Sequence, residues 1–178
     1  MKPESRYCLL LILALTCLAC ADHKPAGPGG SLQPHPETDP PESKIPAPDL
    51  SFLSDTRKII VTKAMESIGT PYHWGGHTPE PGFDCSGLVF FTHQIAGIQV
   101  PRTAASQFSQ GRKILKHQLV PGDLVFFVAP DKKTSIHVGI YTGGSWFIHA
   151  PGQGRQVSGS RLSNPYFEKN FAGARSWL

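Results

Sequence analysis

The sequence is poor in cysteine and has no dense basic run. Three of its four cysteines fall within the first twenty residues, so Cys85 is alone in the remainder and a disulfide framework is excluded there. Lysine and arginine never cluster with interleaved aromatic residues, which excludes the usual signature of a nucleic-acid-binding protein. From residue 51 onward 13 Lys and Arg face 7 Asp and Glu, and this net charge of about +6 suits an anionic polymer or peptide as partner.

The N-terminus is typical of an export signal. Two basic residues precede a mostly apolar run, 7–21, which is too short for a comfortable membrane span. The run contains Leu-Ala-Cys20, which is similar to a bacterial lipoprotein signal, so we expect residues 1–20 to be a signal peptide and Cys20 to carry lipid. Lipid on Cys17 and a plain cleaved secretory signal are the alternatives. Ala21 follows where inner-membrane lipoproteins typically have Asp, which favours the outer membrane of a Gram-negative cell, facing the periplasm.

Residues 21–50 are expected to be a tether. They contain eight prolines and no apolar periodicity that could support a core. Pro-rich chain is semi-extended, so this segment could reach about 90 Å from a membrane anchor. A disordered leader would have the same composition. The folded domain is expected over residues 51–178.

Apolar spacing in that domain predicts helices first and an antiparallel sheet second, which indicates an α+β fold. With 178 residues, 39% of them hydrophobic, the chain can hold one such domain. The Gly143-Gly144 pair predicts a tight hairpin between two strands. The predicted helices are 55–68, 84–97 and a short one from 101, and the predicted strands are 123–128, 135–141, 145–149 and 173–177.

Cys85 lies where a loop rich in Gly and Pro gives way to an apolar run. Asp84 is a good N-cap, so Cys85 would open a helix. The unpaired N–H groups and the positive dipole end there favour a thiolate, which is the nucleophilic form of cysteine. The alternative role is that of a small buried hydrophobic residue. An exported protein has little structural use for one unpaired thiol, so the reactive role gains weight.

Two of the eight histidines, His137 and His149, fall in neighbouring predicted strands. A nucleophilic cysteine needs a base within hydrogen-bond reach, and that base needs a third group to fix its tautomer. We predict that His137 is the base and His149 its orienting partner. A zinc site of Cys85, His137 and His149 has the right ligand types, but none of the three belongs to a CxxC or HxxxH pair. No metal and no cofactor are therefore expected.

The loop 69–76 precedes the Cys85 helix and displays aromatic side chains beside flexible glycines. Loops of this composition can line a site, with Tyr72 and Trp74 as candidate lining residues. His73 and His77 are possible substrate contacts.

Six short motifs follow one another between residues 69 and 150. They are Gly69-Thr70-Pro71-Tyr72 with Trp74-Gly75-Gly76, Asp84-Cys85-Ser86-Gly87-Leu88-Val89, Pro101-Arg102-Thr103, Pro121-Gly122-Asp123-Leu124-Val125-Phe126-Phe127, His137-Val138-Gly139-Ile140-Tyr141 and His149-Ala150. In this order they resemble the NlpC/p60 cell-wall cysteine peptidases, over about residues 55 to 178. The C-terminal part is similar to the family's lipoprotein branch, which cuts cross-links in Gram-negative walls: Asn164-Pro165-Tyr166-Phe167 with Phe171, Ala174 and Arg175.

The resemblance implies a papain-like NlpC/p60 fold and hydrolysis of peptide bonds in peptidoglycan. It implies that Cys85 is the nucleophile, His137 the general base and His149 the third member of a triad. Tyr72 would help to bind the oxyanion beside the backbone N–H of Cys85. The further residues expected around the oxyanion and the substrate are Asp84, Ser86, Trp74 and Arg102.

Three functions follow from this sequence as hypotheses. The leading one is a peptidoglycan endopeptidase, which would cut either the D-glutamyl to diaminopimelate bond or the cross-link between stems. The second is a protein that binds peptidoglycan without cleaving it. The third is an acyltransferase or amidase of the same fold superfamily. The expected partners are muropeptide stem peptides and, through the lipid anchor, a membrane.

Overall fold

The computed structural model describes residues 45–128 and 135–178. The predicted signal peptide, the predicted lipidation site Cys20 and the tether up to residue 44 lie outside the described residues. No helix within the described ranges combines the length and the apolar character needed to cross a bilayer.

The described chain forms helices on both faces of one antiparallel sheet, which confirms the predicted α+β class. Six strands lie in the order β3-β8-β4-β5-β6-β7, and β1 and β2 form a separate two-stranded ribbon. The helices are α1 (Asp55–Glu66), α2 (Cys85–Ile95), α3 (Ala104–Gln110) and α4 (Pro165–Asn170). The strands are β1 (His77–Thr78), β2 (Gly82–Phe83), β3 (Arg112–Ile114), β4 (Leu124–Val128), β5 (Ile136–Gly143), β6 (Trp146–His149), β7 (Ser158–Arg161) and β8 (Phe171–Ser176).

Strand β4 is the centre of this arrangement, because its alternate side chains enter two separate cores. Leu124 and Phe126 belong to a core with residues of α1, α2 and α3. Val125 and Phe127 face the other way, into an aromatic core that α4 closes with Phe167. A strand covered on both faces needs apolar residues at every position, which explains the continuous run Leu124–Val128.

The structure contains elements that the sequence did not predict. Strand β7 reads Ser158-Gly159-Ser160-Arg161, without a large apolar residue, yet Gly159 and Ser160 are buried because the strand pairs with β6. Strand β3 is similarly polar and exposed, and it exists because it pairs with β8. Both strands are stabilised by ladder bonds to neighbours, which hydrophobic periodicity cannot reveal.

The start of the folded part also differs from the expectation. Residues 45–50 were expected within the tether, but Ile45 packs against the helical core. A Cβ at Gly159 would collide with the Ile45 side chain, so the glycine makes room for it. The last residues before position 51 therefore lie against the domain.

One buried histidine makes the stability of this fold depend on pH. His93 on α2 has no exposed surface, and its Nδ1 lies 2.9 Å from the carbonyl oxygen of Val89. Burial lowers the pKa of His93 from 6.5 to about 4, the Val89 carbonyl opposes this shift, and the charge of Arg57 adds to it. The native state therefore keeps His93 neutral at a pH where the unfolded chain would protonate it.

We expect the free energy of unfolding to fall as the pH falls from about 6.5 towards 4, because the unfolded chain then binds one more proton than the native protein. Between pH 7 and pH 5 the loss from this residue should be about 2 kcal/mol. Urea denaturation at both pH values should show that loss in the wild type and a smaller one in His93→Phe. His117→Gln, which changes an exposed histidine, is the control. An equal loss in His93→Phe and the wild type would contradict the assignment.

Candidate active site

Cys85 is the first residue of α2, as predicted. The Asp84 Oδ1 accepts the backbone N–H of Gly87 at 2.6 Å, so Asp84 is the N-cap of this helix. The backbone N–H groups of Val138, on β5, and Ser86 point at the Cys85 sulfur. Cys85 is a free cysteine, and the residue as a whole keeps some exposed surface although its thiol is desolvated. The nucleophile candidate thus lies between the start of a helix and the central sheet.

The turn after Cys85 requires glycine at position 87. A Cβ there would overlap the carbonyl oxygen of Gly76, in the loop that precedes β1. The same loop is bound to the helix by the backbone N–H of Asp84, which donates to Gly76 at 3.0 Å. The glycine therefore allows the loop of Tyr72 and Trp74 to lie directly against the start of α2.

The resting sulfur is a thiol rather than the thiolate expected from its helix position. Burial raises the pKa of Cys85 from 9.0 to about 11, and the negative charge of Asp84 acts in the same direction. The N–H groups of Val138 and Ser86, and then the charge of Arg102, lower the pKa by less. The prediction of a thiolate is thus wrong for the resting site. The helix is capped by a carboxylate, and that charge offsets the favourable end of the dipole.

His137 and His149 meet across the β5–β6 hairpin, so the predicted pair is confirmed as a contact. The backbone ladder pairs Ile140 with Ile148 and does not extend to the two histidines, whose side chains bond instead. The distance from His137 Nε2 to His149 Nδ1 is 2.7 Å. The Nε2 of His149 lies in turn 3.0 Å from the Ser160 Oγ.

Three aromatic rings pack against this histidine pair. The His149 ring lies 5.0 Å from the ring of Phe147 and 5.4 Å from that of Phe167, centroid to centroid. The His137 ring lies 6.5 Å from that of Phe127. His149 is almost fully buried, so water has little access to the bond between the two histidines.

Arg102 and Asp84 form the main ion pair of the site. The two terminal guanidinium nitrogens donate to both Asp84 oxygens at 2.9 and 2.6 Å. They also donate to the Ser86 Oγ at 3.0 Å and to the Gly76 carbonyl at 3.1 Å. Arg102 was expected among the substrate-binding residues, but these four bonds occupy its terminal N–H groups within the protein. These bonds connect the N-cap of α2 to the loop 69–76 and stabilise their contact.

Tyr72 lines the same cleft as Arg102 and is half-buried. Burial raises the pKa of its hydroxyl, and the charge of Asp84 raises it further. The group is therefore a neutral phenol that can donate a hydrogen bond. Trp74 is 56% exposed and forms part of the rim.

Seven of the eight site residues predicted for the domain line one cleft of about 500 Å³. They are Tyr72, Trp74, Asp84, Cys85, Ser86, Arg102 and His137. His149, the eighth, lies behind His137. His73 and His77 are exposed and do not line this cleft. Within residues 45–128 and 135–178, no three His, Cys, Asp or Glu side chains are grouped as metal ligands would be.

Two residues of the site were missed at the level of sequence. Ser160 belongs to the unpredicted strand β7. Gln107 on α3 is fully buried and donates from Nε2 to the carbonyl oxygens of Ser86 and Pro101, at 3.1 and 2.7 Å. It fixes α3 beside the start of α2. A polar residue on a short helix carries no sequence signal for this role.

Comparison with models of known protein families identifies the family of this chain. The model of the NlpC/P60 family matches residues 69–176, a range that includes Cys85, His137 and His149. The chain belongs to the NlpC/P60 family. The resemblance drawn from the six motifs is thereby confirmed.

Relatives within the family differ in how much of their length the chain covers. The probable endopeptidase NlpC of Escherichia coli K12 is 38% identical over 174 residues, which are 96% of this chain and 98% of NlpC. The murein DD-endopeptidase MepH of the same organism is 40% identical over 121 residues, but these are 66% of this chain and 45% of MepH. The chain therefore spans less than half the length of MepH.

Solved structures support the fold. The crystal structure of a lipoprotein-like NLP/P60 family protein from Staphylococcus aureus Mu50 superimposes with a TM-score of 0.63 at 35% identity. The match covers 71% of this chain and 43% of the other.

Arg102→Lys should test whether Arg102 stabilises the protein by connecting the N-cap of α2 to the loop 69–76. A lysine cannot bond both Asp84 oxygens and the Gly76 carbonyl at once, so we expect the free energy of unfolding to fall by about 2 kcal/mol. Urea denaturation at pH 7 measures this loss. Arg112→Lys is the matched control, because Arg112 is exposed and donates to Leu178 at 3.0 Å. Unchanged stability in Arg102→Lys with weakened substrate binding would instead favour direct contact with the substrate.

Proposed function

We propose that the protein is a cysteine endopeptidase that hydrolyses peptide bonds in peptidoglycan stem peptides or cross-links. One observation carries this proposal. Cys85 and His137 line the same cleft, and the Nε2 of His137 is held 2.7 Å from His149. A cysteine, a base and a group that orients the base are the parts that nucleophilic acyl transfer requires. The names of two relatives support the proposal: NlpC is a probable endopeptidase, and MepH is an endopeptidase that acts on murein, which is peptidoglycan.

The reaction would begin with transfer of the Cys85 thiol proton to His137. Because the pKa of the buried thiol is raised to about 11, the proton must move as the sulfur attacks the carbonyl carbon of the substrate. The Nε2 of His137 is engaged by His149, so Nδ1 is the atom that takes this proton. His137 then becomes an imidazolium, and His149 accepts its Nε2–H.

The attack converts the substrate carbonyl into an oxyanion. The backbone N–H of Cys85 is in the first helical turn, where N–H groups have no acceptor within the helix. Together with the Tyr72 hydroxyl it would bind the negative oxygen. Tyr72 is suited to this because its raised pKa keeps it protonated.

Collapse of the tetrahedral intermediate completes the acyl transfer. The C–N bond breaks, His137 Nδ1 protonates the leaving amine, and a thioester to Cys85 remains. A water molecule then gives a proton to His137 and attacks the thioester, which releases the carboxylic acid and restores the thiol.

The test is digestion of purified Gram-negative peptidoglycan by the full chain, with soluble muropeptides read by mass spectrometry. We expect wild type to convert cross-linked dimers to monomers or to shorten stems to the dipeptide. Cys85→Ala and His137→Ala should each lower the rate by at least about a thousandfold, because each removes one member of the nucleophile–base pair. His117→Ala, which changes an exposed histidine outside the cleft, should keep wild-type activity.

The product masses separate the alternatives. A new mass on the donor peptide without hydrolysis would favour the acyltransferase. An unchanged profile, with wild type and Cys85→Ala sedimenting equally with the wall, would replace the enzyme by a binding protein.

We further propose that the chain works as an outer-membrane lipoprotein that faces the periplasm, attached through Cys20. The support is the lipoprotein-like signal and the Pro-rich segment after it. In a Gram-negative host, Cys20→Ala should move the protein from the outer-membrane fraction to the soluble periplasm, whereas Cys17→Ala should leave it in place. Metabolic labelling with a palmitate analogue provides the second measurement. Wild-type protein found soluble and unlabelled would contradict the anchor.

A further inference from the structure

Ser160 continues the hydrogen-bond chain that runs from His137 in the cleft through His149. It is on β7 and has no exposed surface. The ladder pairs Phe147 with Ser160 and His149 with Ser158, so Ser160 is diagonal to His149 on the same face of the sheet. Its Oγ is 3.0 Å from His149 Nε2.

The role of His137 as a base determines which ring nitrogens of His137 and His149 must carry a proton. A neutral imidazole carries one proton, on either Nδ1 or Nε2. For His137 to receive the thiol proton at Nδ1, its own proton must be on Nε2 and be donated to His149 Nδ1. His149 must then carry its proton on Nε2, which faces Ser160.

The opposite arrangement would disable the base. With its proton on Nδ1, His149 would donate to His137 Nε2, and His137 would carry its proton on Nδ1. That atom could then no longer accept a proton from Cys85. A base held in the wrong tautomer loses activity even when its position is unchanged.

The structure assigns to Ser160 the role of a positioning residue: its hydroxyl oxygen accepts the His149 Nε2–H and so selects the tautomers in which His137 can act as base. The direction of donation follows from the base role of His137 and so rests on the proposed function, whereas the tautomer itself can be measured without catalysis. Serine is suited to this position because its hydroxyl oxygen can accept a hydrogen bond from His149 Nε2–H.

The tautomer can be read without any substrate. Long-range proton–nitrogen NMR spectra of the full chain, labelled with ¹⁵N-histidine, distinguish a protonated Nδ1 from a protonated Nε2. In wild type at pH 8, we expect both His137 and His149 to carry the proton on Nε2. In Ser160→Ala, His149 should shift towards the Nδ1-protonated form. In Ser160→Thr, which keeps the oxygen on a side chain that suits a strand, the wild-type pattern should return.

Kinetics with a soluble cross-linked muropeptide give the second measurement. Loss of one hydrogen bond of ordinary strength should lower kcat of Ser160→Ala about fivefold, with KM unchanged. Ser160→Thr should recover most of the rate. Ser158→Ala, two residues earlier on the same strand, should match the wild type.

The two measurements separate the possible failures. If Ser160→Ala keeps the Nε2-protonated form of His149 and full kcat, Ser160 does not select the tautomer and the inference is overturned. If no variant, wild type included, cleaves muropeptides while Ser160→Ala still shifts the tautomer, the inference stands and the proposed function fails. Should Ser160→Ala not fold, Ser160→Cys has the same shape and a weaker acceptor, and it should shift the tautomer in the same direction.

Discussion

The Asp84 carboxylate is the interaction on which the rest of the site depends. It caps α2 at Gly87, receives both terminal nitrogens of Arg102, and accepts the backbone N–H of Gly75 at 3.0 Å. Three chain segments that are distant in sequence therefore meet at one charged group. Loss of this group would leave the Arg102 guanidinium without its counter-charge and the helix without its cap, so Cys85 and the rim loop would lose their shared support.

The other half of the site, His137 and His149, lies on the sheet and is stabilised by a different set of interactions. The ladder between β5 and β6 does not reach His137 and His149, and the strands are joined there by a side-chain bond. The ring of Phe127 holds one histidine, and those of Phe147 and Phe167 hold the other, so both are set in an apolar surface. A buried polar pair in apolar surroundings is stable only when each donor faces an acceptor. The hydrogen bond between the two histidines must therefore have one defined donor and one defined acceptor.

The sequence predicted those features that have a local signal. The cap at Asp84, the helix opened by Cys85 and the hairpin carrying His137 and His149 are all as expected from periodicity and capping rules. The state of the Cys85 sulfur was not, because desolvation and the neighbouring carboxylate are properties of the packed site. Strand β7, and with it Ser160, carries no apolar pattern and is specified only by its pairing with β6. The four bonds that engage Arg102 likewise involve residues up to 26 positions away.

The raised pKa of Cys85 also bears on how easily this unpaired thiol is oxidised. A helix N-terminus stabilises an anion by about 0.3–1 kcal/mol. Raising the pKa of the thiol from 9.0 to about 11 corresponds to about 3 kcal/mol against the anion, so burial and Asp84 outweigh the helix. The thiolate is the form that oxidants attack, and the raised pKa makes it scarce at neutral pH. In the proposed mechanism, nucleophilic reactivity depends on His137 taking the proton when a carbonyl is in place, which would couple activation of the sulfur to the presence of substrate.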